Sequence, residues 1–297
     1  MTTTELDPGT VSVTPAASVT NGPARRQRQL PRSAVVSLIW LGLIIVGAIA
    51  ADVLPIADPN ANITPTTTPP LRHWPEFLGT DQLGRSVLSR LVFGARVSLA
   101  VGLASAGLGL VIGVLIGMLA GVRPRIDHVV GLLTDSVLAF PGIILLLALS
   151  AAMGPGFKPL IIGLTAFSIP PFVRLSRANT LVIRHREFVE AARLLGANTP
   201  RILFREILPS VIRPVLAYAV VVLAALMVAE ASVSFLGLGV VAPTSSWGKM
   251  ISDGQPQLQH HRELVFVPAT VLFLTVYSVG VLGRWLRAKT SPGTAKI

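Results

Sequence analysis

The chain has 297 residues, 52% of them hydrophobic and only 13% charged, with a mean hydropathy of +0.68. Near-charge-free runs longer than the ~20 residues that cross a bilayer recur along it, so a soluble domain is excluded and an all-α polytopic membrane protein is expected. The absence of cysteine excludes disulfides, thiolate metal sites and Cys nucleophiles, and the net charge of +11 must be read first against membrane orientation, which makes a nucleic-acid role unnecessary.

Residues 1–32 are rich in Thr, Pro and Ala and end in the basic cluster Arg25, Arg26, Arg28 and Arg32, which predicts a disordered cytoplasmic tail. The segment 33–76 supplies a first membrane helix, in the apolar run Ala34 to Leu54, and then an outer loop rich in Pro, Thr and Asn. From Phe77 to Leu99 the chain reads FLGTDQLGRSVLSRLVFGARVSL. Here Val87, Leu88, Leu91 and Val92 form an apolar stripe opposite Arg85 and Arg90, which predicts a helix lying in the interface ahead of the second span.

Span two, Ala95 to Gly121, carries Gly109, Gly113, Gly117 and Gly121 at intervals of four, a small-residue ridge suited to close approach and assembly with a partner helix. Span three, Val129 to Met153, contains Asp135 and Pro141. Span four, Leu160 to Leu175, is expected to break at Pro170-Pro171, where the freed carbonyls need protein or cavity water; a helix of this kind is expected to line a translocation path. Span five, Val211 to Val233, carries Glu230 towards its outer end, where it is expected at the interface, bonded to Ser232, Ser234 or backbone. Span six runs from Leu264 to Leu286, and residues 288–297 form a short tail.

Between spans four and five lies a polar island, Arg184 to Pro209, RHREFVEAARLLGANTPRILFREILP. Phe188, Val189, Ala192 and Leu195 make one apolar stripe on a helix of about ten residues. Gly196 then stands where a helix takes a left-handed residue. Thr199 is the expected N-cap of a second helix, with Pro200 at its first position and Pro209 at its close.

Glu190-Ala191-Ala192, Gly196 and Leu208-Pro209 resemble the EAA loop, EAA-x3-G-x9-I-x-L-P, of permease subunits of binding-protein-dependent ABC importers. Glu206 departs from the apolar consensus position, with Ile207 beside it. The Phe77–Leu99 stretch is similar to GTDxLGRD-x-LSR-x-x-x-GARxSL of the dipeptide, oligopeptide and nickel branch, with Ser86 for the usual Asp. Residues Glu230 to Gly254 resemble that branch's EASLSFLGLG-x-x-P-x-x-SWG segment, and the resemblance covers residues 77–287.

The resemblance implies an ABC importer type I transmembrane fold of six helices, without catalytic residues, in the bacterial plasma membrane. Its coupling loop, 184–209, would dock on a cytoplasmic ATPase through Phe188, Glu190, Ala191, Ala192, Gly196, Leu208 and Pro209. A second permease, two ATPase subunits that bind the ATP, and an external solute-binding protein are implied as partners. Di- or oligopeptides are the default solute, with nickel, glutathione or opine-like compounds open.

Six spans with both termini in the cytoplasm place 18 of the 25 Lys and Arg inside, in agreement with the positive-inside rule. No G-x-x-x-x-G-K-[ST] occurs, so the chain does not cradle a nucleotide by that device. Asp135 and Glu230, with Pro141, Pro170 and Pro171, are the candidates for the path; as a pair the two carboxylates would also serve an alternative, a stand-alone proton-coupled secondary transporter. His260-His261 has no third ligand at useful spacing, and no metal or other cofactor is expected in this chain.

Overall fold

A chain this apolar must close its backbone hydrogen bonds within each segment, because lipid offers no partners. The described residues are accordingly helical, with one isolated bridge, Thr80 to Ser86, and no strand. The computed structural model describes residues 31–64, 67–70 and 77–290. Most of the expected tails, 1–32 and 288–297, and part of the outer loop lie outside them.

The long helices are α1 (Arg32–Ala50), α2 (Val87–Val122), α5 (Phe157–Ile183), α8 (Leu208–Phe235) and α10 (Glu263–Thr290). Five helical segments are long and apolar enough to cross a membrane: α1, α2, α5, α10 and the continuous run Thr199–Phe235 that includes α8. Between α2 and α5 lie α3 (Pro124–Ala139) and α4 (Gly142–Met153), bent by 83°.

The α2 glycines decide the packing. A Cβ on Gly113 would sit 2.5 Å from that of Phe172, and one on Gly117 would sit 2.2 Å from Ser176 Oγ. A Cβ on Gly109 would sit 1.9 Å from Ser168 Oγ and one on Gly121 2.7 Å from the Cβ of Thr180. The ridge therefore meets α5 of the same chain, at its own four-residue interval, where the sequence pointed to a helix for assembly. Ser168 Oγ donates to Ser105 O at 3.3 Å, Ser176 Oγ to Gly113 O at 3.1 Å and Arg184 Nη1 to Gly121 O at 2.9 Å, each across 63 residues. A constant offset means parallel helices. The chain must then return along the bundle between them, and α3 with α4 is the segment that does so, as one broken sixth span.

Two prolines behave differently from expectation. Span three is not one helix: Phe140, ahead of Pro141, is extended (φ −81°, ψ 130°), as steric conflict with the proline ring demands, and the helix restarts at Gly142. Span four does not break at Pro170-Pro171; α5 runs through them and beyond both expected ends. It is packed between α2 and α8. Packing outweighs the local penalty there, whereas α3 and α4 bury only Thr134, Leu146 and Ser150.

The expected interfacial helix is also absent as a separate element. Ser86 accepts from Ser89 N as N-cap, and α2 runs on without interruption for 36 residues, about 54 Å. Nothing between Leu91 and Ala95 breaks it. Arg85 and Arg90 do not face solvent, being 8% and 3% exposed.

Leucine at Gly117 should force α2 and α5 apart at an overpacking cost of about 1–3 kcal/mol or more. Gly107, whose Cβ would meet nothing within 4 Å, is the control. Thermal unfolding in detergent should show a lowered midpoint for Gly117→Leu and a near-native one for Gly107→Leu.

Candidate functional site

The island folds as α6 (Glu187–Leu194), a three-residue turn α7 (Thr199–Arg201), a π-helical stretch Ile202–Ile207, and then α8. Gly196 has φ +81°, with Ala197 N bonded to Ala192 O at 3.0 Å and Gly196 N to Arg193 O at 2.9 Å. This paired 6→1 and 5→2 closure is a Schellman cap, available to glycine without a Cβ penalty. Glu187 and Glu190 in the first turn and Arg193 in the last complement the helix dipole.

Three local expectations are corrected. The N-cap of the second helix is Asn198, whose Oδ1 accepts from Arg201 N at 3.1 Å, so Thr199 and Pro200 move one place inward. Pro209 does not end that helix: Leu208 N reaches back five residues to Leu203 O, and the widened turn carries the helix past a residue without an N–H. The stripe also divides. Val189 is fully buried in the bundle core, while Phe188, Leu194 and Leu195 are 46%, 89% and 88% exposed. Adjacent residues point about 100° apart, and burial chose Val189. Ile207 is likewise fully buried, which leaves Glu206 beside the buried face. Glu190 and Ala191 are exposed, as is Pro209, and Ala192 and Leu208 are half-buried.

Towards the middle of the bundle α3 and α5 are joined by charge. Arg174 Nη2 lies 2.6 Å from Asp135 Oδ1, and Arg177 Nη2 lies 2.7 Å from Asp127 Oδ2. As the α3 number rises the α5 number falls, so the two helices are antiparallel, in keeping with the return through α3. Asp135 is a candidate from the sequence alone, whereas Asp127 and Arg177 fall outside the expected spans, Val129 to Met153 and Leu160 to Leu175, and enter α3 and α5 only because both helices extend beyond them. Asp135 and Arg174 are both more than half exposed, whereas Pro170 is buried and Pro171 half-buried.

At the opposite end, the stretches 77–99 and 230–254 pack together. Glu230 is fully buried within the protein, accepting from Ser98 Oγ at 3.1 Å and from the expected Ser234 Oγ at 2.8 Å. Ser232 instead donates to Val228 O at 2.8 Å. The helix α9 (Trp247–Gly254), capped by Ser246, covers the site: Trp247 N donates to Ser98 Oγ at 3.3 Å and its Nε1 to Leu91 O at 3.0 Å. Asp81 Oδ2 lies 2.8 Å from Arg85 Nε and 3.5 Å from Arg90 Nε. His261 pairs with Glu263 at 3.0 Å, and the described residues hold no group of three metal-ligating side chains.

These features define a polytopic helical membrane protein with a charged loop that exposes apolar side chains at one end. Residues 109–292 match the family described as the binding-protein-dependent transport system inner membrane component. The glutathione transport system permease protein GsiD of Pectobacterium atrosepticum is 38% identical over 225 residues, 75% of this chain and 74% of that one. The di/tripeptide transport system permease protein DppC of Pseudomonas aeruginosa is 35% identical over 269 residues, 88% of each. An inward-facing structure of the MetNI methionine ABC transporter superposes with a TM-score of 0.56 at 23% identity, over 68% of this chain and 97% of that one. The chain belongs to the binding-protein-dependent transport system inner membrane component family and is an ABC importer permease subunit. That membership displaces the stand-alone proton-coupled carrier.

Gly196→Ala should cost on the order of 1 kcal/mol, and Gly196→Val more, through φ alone, because the space around it is open. Hydrogen exchange should show faster exchange at the Gly196 and Ala197 amides in both variants, greater in the valine form.

Proposed function

We propose that the end of the molecule bearing α6 faces the cytoplasm, docks on an ATPase subunit, and couples ATP hydrolysis there to import of a peptide-like solute. The observation that carries this reading is the exposure of Phe188, Leu194, Leu195 and Phe204 on α6 and the π-helical stretch after it, in a segment that also exposes Glu187, Glu190 and Arg193. Apolar side chains exposed among charged ones have the anatomy of a protein interface. Val189, Ile202, Leu203 and Ile207 on the inner side belong to the core cluster that includes Met118, Phe172 and Val211. A push on α6 is thereby delivered to α2, α5 and α8.

The positive-inside rule supports this orientation: a six-span topology with both termini in the cytoplasm puts 18 of the 25 Lys and Arg in cytoplasmic segments. ATP is bound by two partner ATPase subunits, and an external solute-binding protein delivers the solute. A second permease completes the path, because six spans are few to enclose a route of peptide size. Asp135, Arg174 and the Pro141 bend are assigned to that path, since an exposed ion pair between two membrane helices belongs against protein or water rather than lipid. The relatives' names, glutathione and di/tripeptide, support a short peptide as solute.

Leu195→Asp, Glu190→Lys and Ala192→Trp should leave the permease inserted but weaken ATPase co-purification about tenfold or more, the size of an interface hot-spot loss. Binding-protein-stimulated hydrolysis in proteoliposomes should fall with it. Normal association and stimulation in all three would overturn the docking assignment. Since the chain lacks cysteine, Asn198→Cys gives a unique label. It should react in inside-out vesicles and not in intact cells, and labelling from outside would reverse the orientation.

A further inference from the structure

The end of the bundle away from α6 contains a cavity of about 380 Å³, bordered by Asp81, Arg85, Arg90, Lys249 and Asp253 and by the apolar side chains of Val87, Met250 and Leu264. Its volume is within the range of small-molecule sites. Three cations face two carboxylates, so the lining carries one positive charge in excess.

The excess resides in Arg90. Its side chain is 3% exposed, yet its two ion pairs are long, 3.5 Å from Nε to Asp81 Oδ2 and 3.4 Å from Nη2 to Asp253 Oδ2, and Nη1 has no partner. The neighbouring carboxylates serve nearer donors. Asp81 Oδ2 is 2.8 Å from Arg85 Nε, and Asp81 Oδ1 accepts from Leu83 N at 2.9 Å and Arg85 N at 3.0 Å. Asp253 Oδ1 is 2.6 Å from Lys249 Nζ. A buried guanidinium without a close acceptor is costly, and its planar fork suits a carboxylate.

We propose that this cavity binds the carboxylate of a small amphipathic molecule, with Arg90 as the anchor and Val87, Met250 and Leu264 against the apolar part. Asp253 competes for the same guanidinium and so holds the affinity down. The site lies within one subunit and does not depend on the coupling assignment or on which face of the membrane this end occupies.

Leu83 borders the cavity and is 59% exposed, so Leu83→Cys in this cysteine-free chain reports on occupancy without disturbing the core. The probe is butyrate, with butyramide as its neutral counterpart, applied to the full-length permease in nanodiscs at constant ionic strength. Butyrate should slow thiol modification saturably and butyramide should not. Arg90→Gln should abolish the protection and Arg90→Lys retain part of it. Asp253→Asn, a milder change at a 35% exposed side chain, should lower the half-protecting concentration about tenfold, a sign that a purely structural role would not give. Absence of protection, equal protection by butyramide, or an unchanged concentration in Asp253→Asn overturns the proposal. Lys249→Gln added to Asp253→Asn should keep the gain, and its loss there overturns Arg90 as the anchor even if Arg90→Gln does not fold.

Discussion

The contact between the α2 glycines and α5 sets the rest of the subunit. Lipid chains are as apolar as leucine, so helices in a membrane gain little by burying apolar surface against each other and must gain by close approach and interhelical hydrogen bonds. The seam supplies both, with glycine against Ser168, Phe172, Ser176 and Thr180 and serine hydroxyls on opposing carbonyls. Its parallel sense requires α3 and α4 to return between its two helices. It also places Arg184, the first residue of the island, on the carbonyl of Gly121, so the loop hangs from the end of the seam.

The other end is held by polar contacts. A buried carboxylate is costly unless its oxygens are satisfied. Glu230 meets that cost with hydroxyls from α2 and α8, and Ser98, one of the two, also takes the first N–H of α9. Ser245 adds a bond to Arg90 O at 3.1 Å, and Trp247 fills the space between. The two stretches that look like separate signatures in the sequence are thus one structure, a cap in which α9 closes over the start of α2 and the end of α8.

What was legible in the sequence was local. Gly196 was placed by its position after the last periodic residue, and its φ of +81° follows from that. The spans were found by length and hydropathy. What failed depended on neighbours distant in the chain. Phe188 and Val189 are both apolar and adjacent, and only the bundle decides which turns inward. Pro141 bends a helix with few partners, while Pro170-Pro171 leave intact one that is packed on two sides. The bond from Ser98 to Glu230 has no sign in the sequence, because the two residues stand 132 apart.

The π-helical stretch carries a mechanical consequence. Had Pro209 closed a separate helix, the island would have been hinged to span five and a push on it could be lost in the joint. Instead the segment from Thr199 to Phe235 is one helix of 37 residues, and its wide turn removes the clash that the proline would otherwise create. Its near end packs against α6 through Ile202, Leu203 and Val189, and its far end carries Glu230 and Ser234 into the cap. A rod of about 55 Å therefore joins the two ends of the subunit. With α6 docked as proposed, a displacement there reaches the cap as a tilt or rotation of this rod, because close-packed interiors transmit strain rather than absorb it.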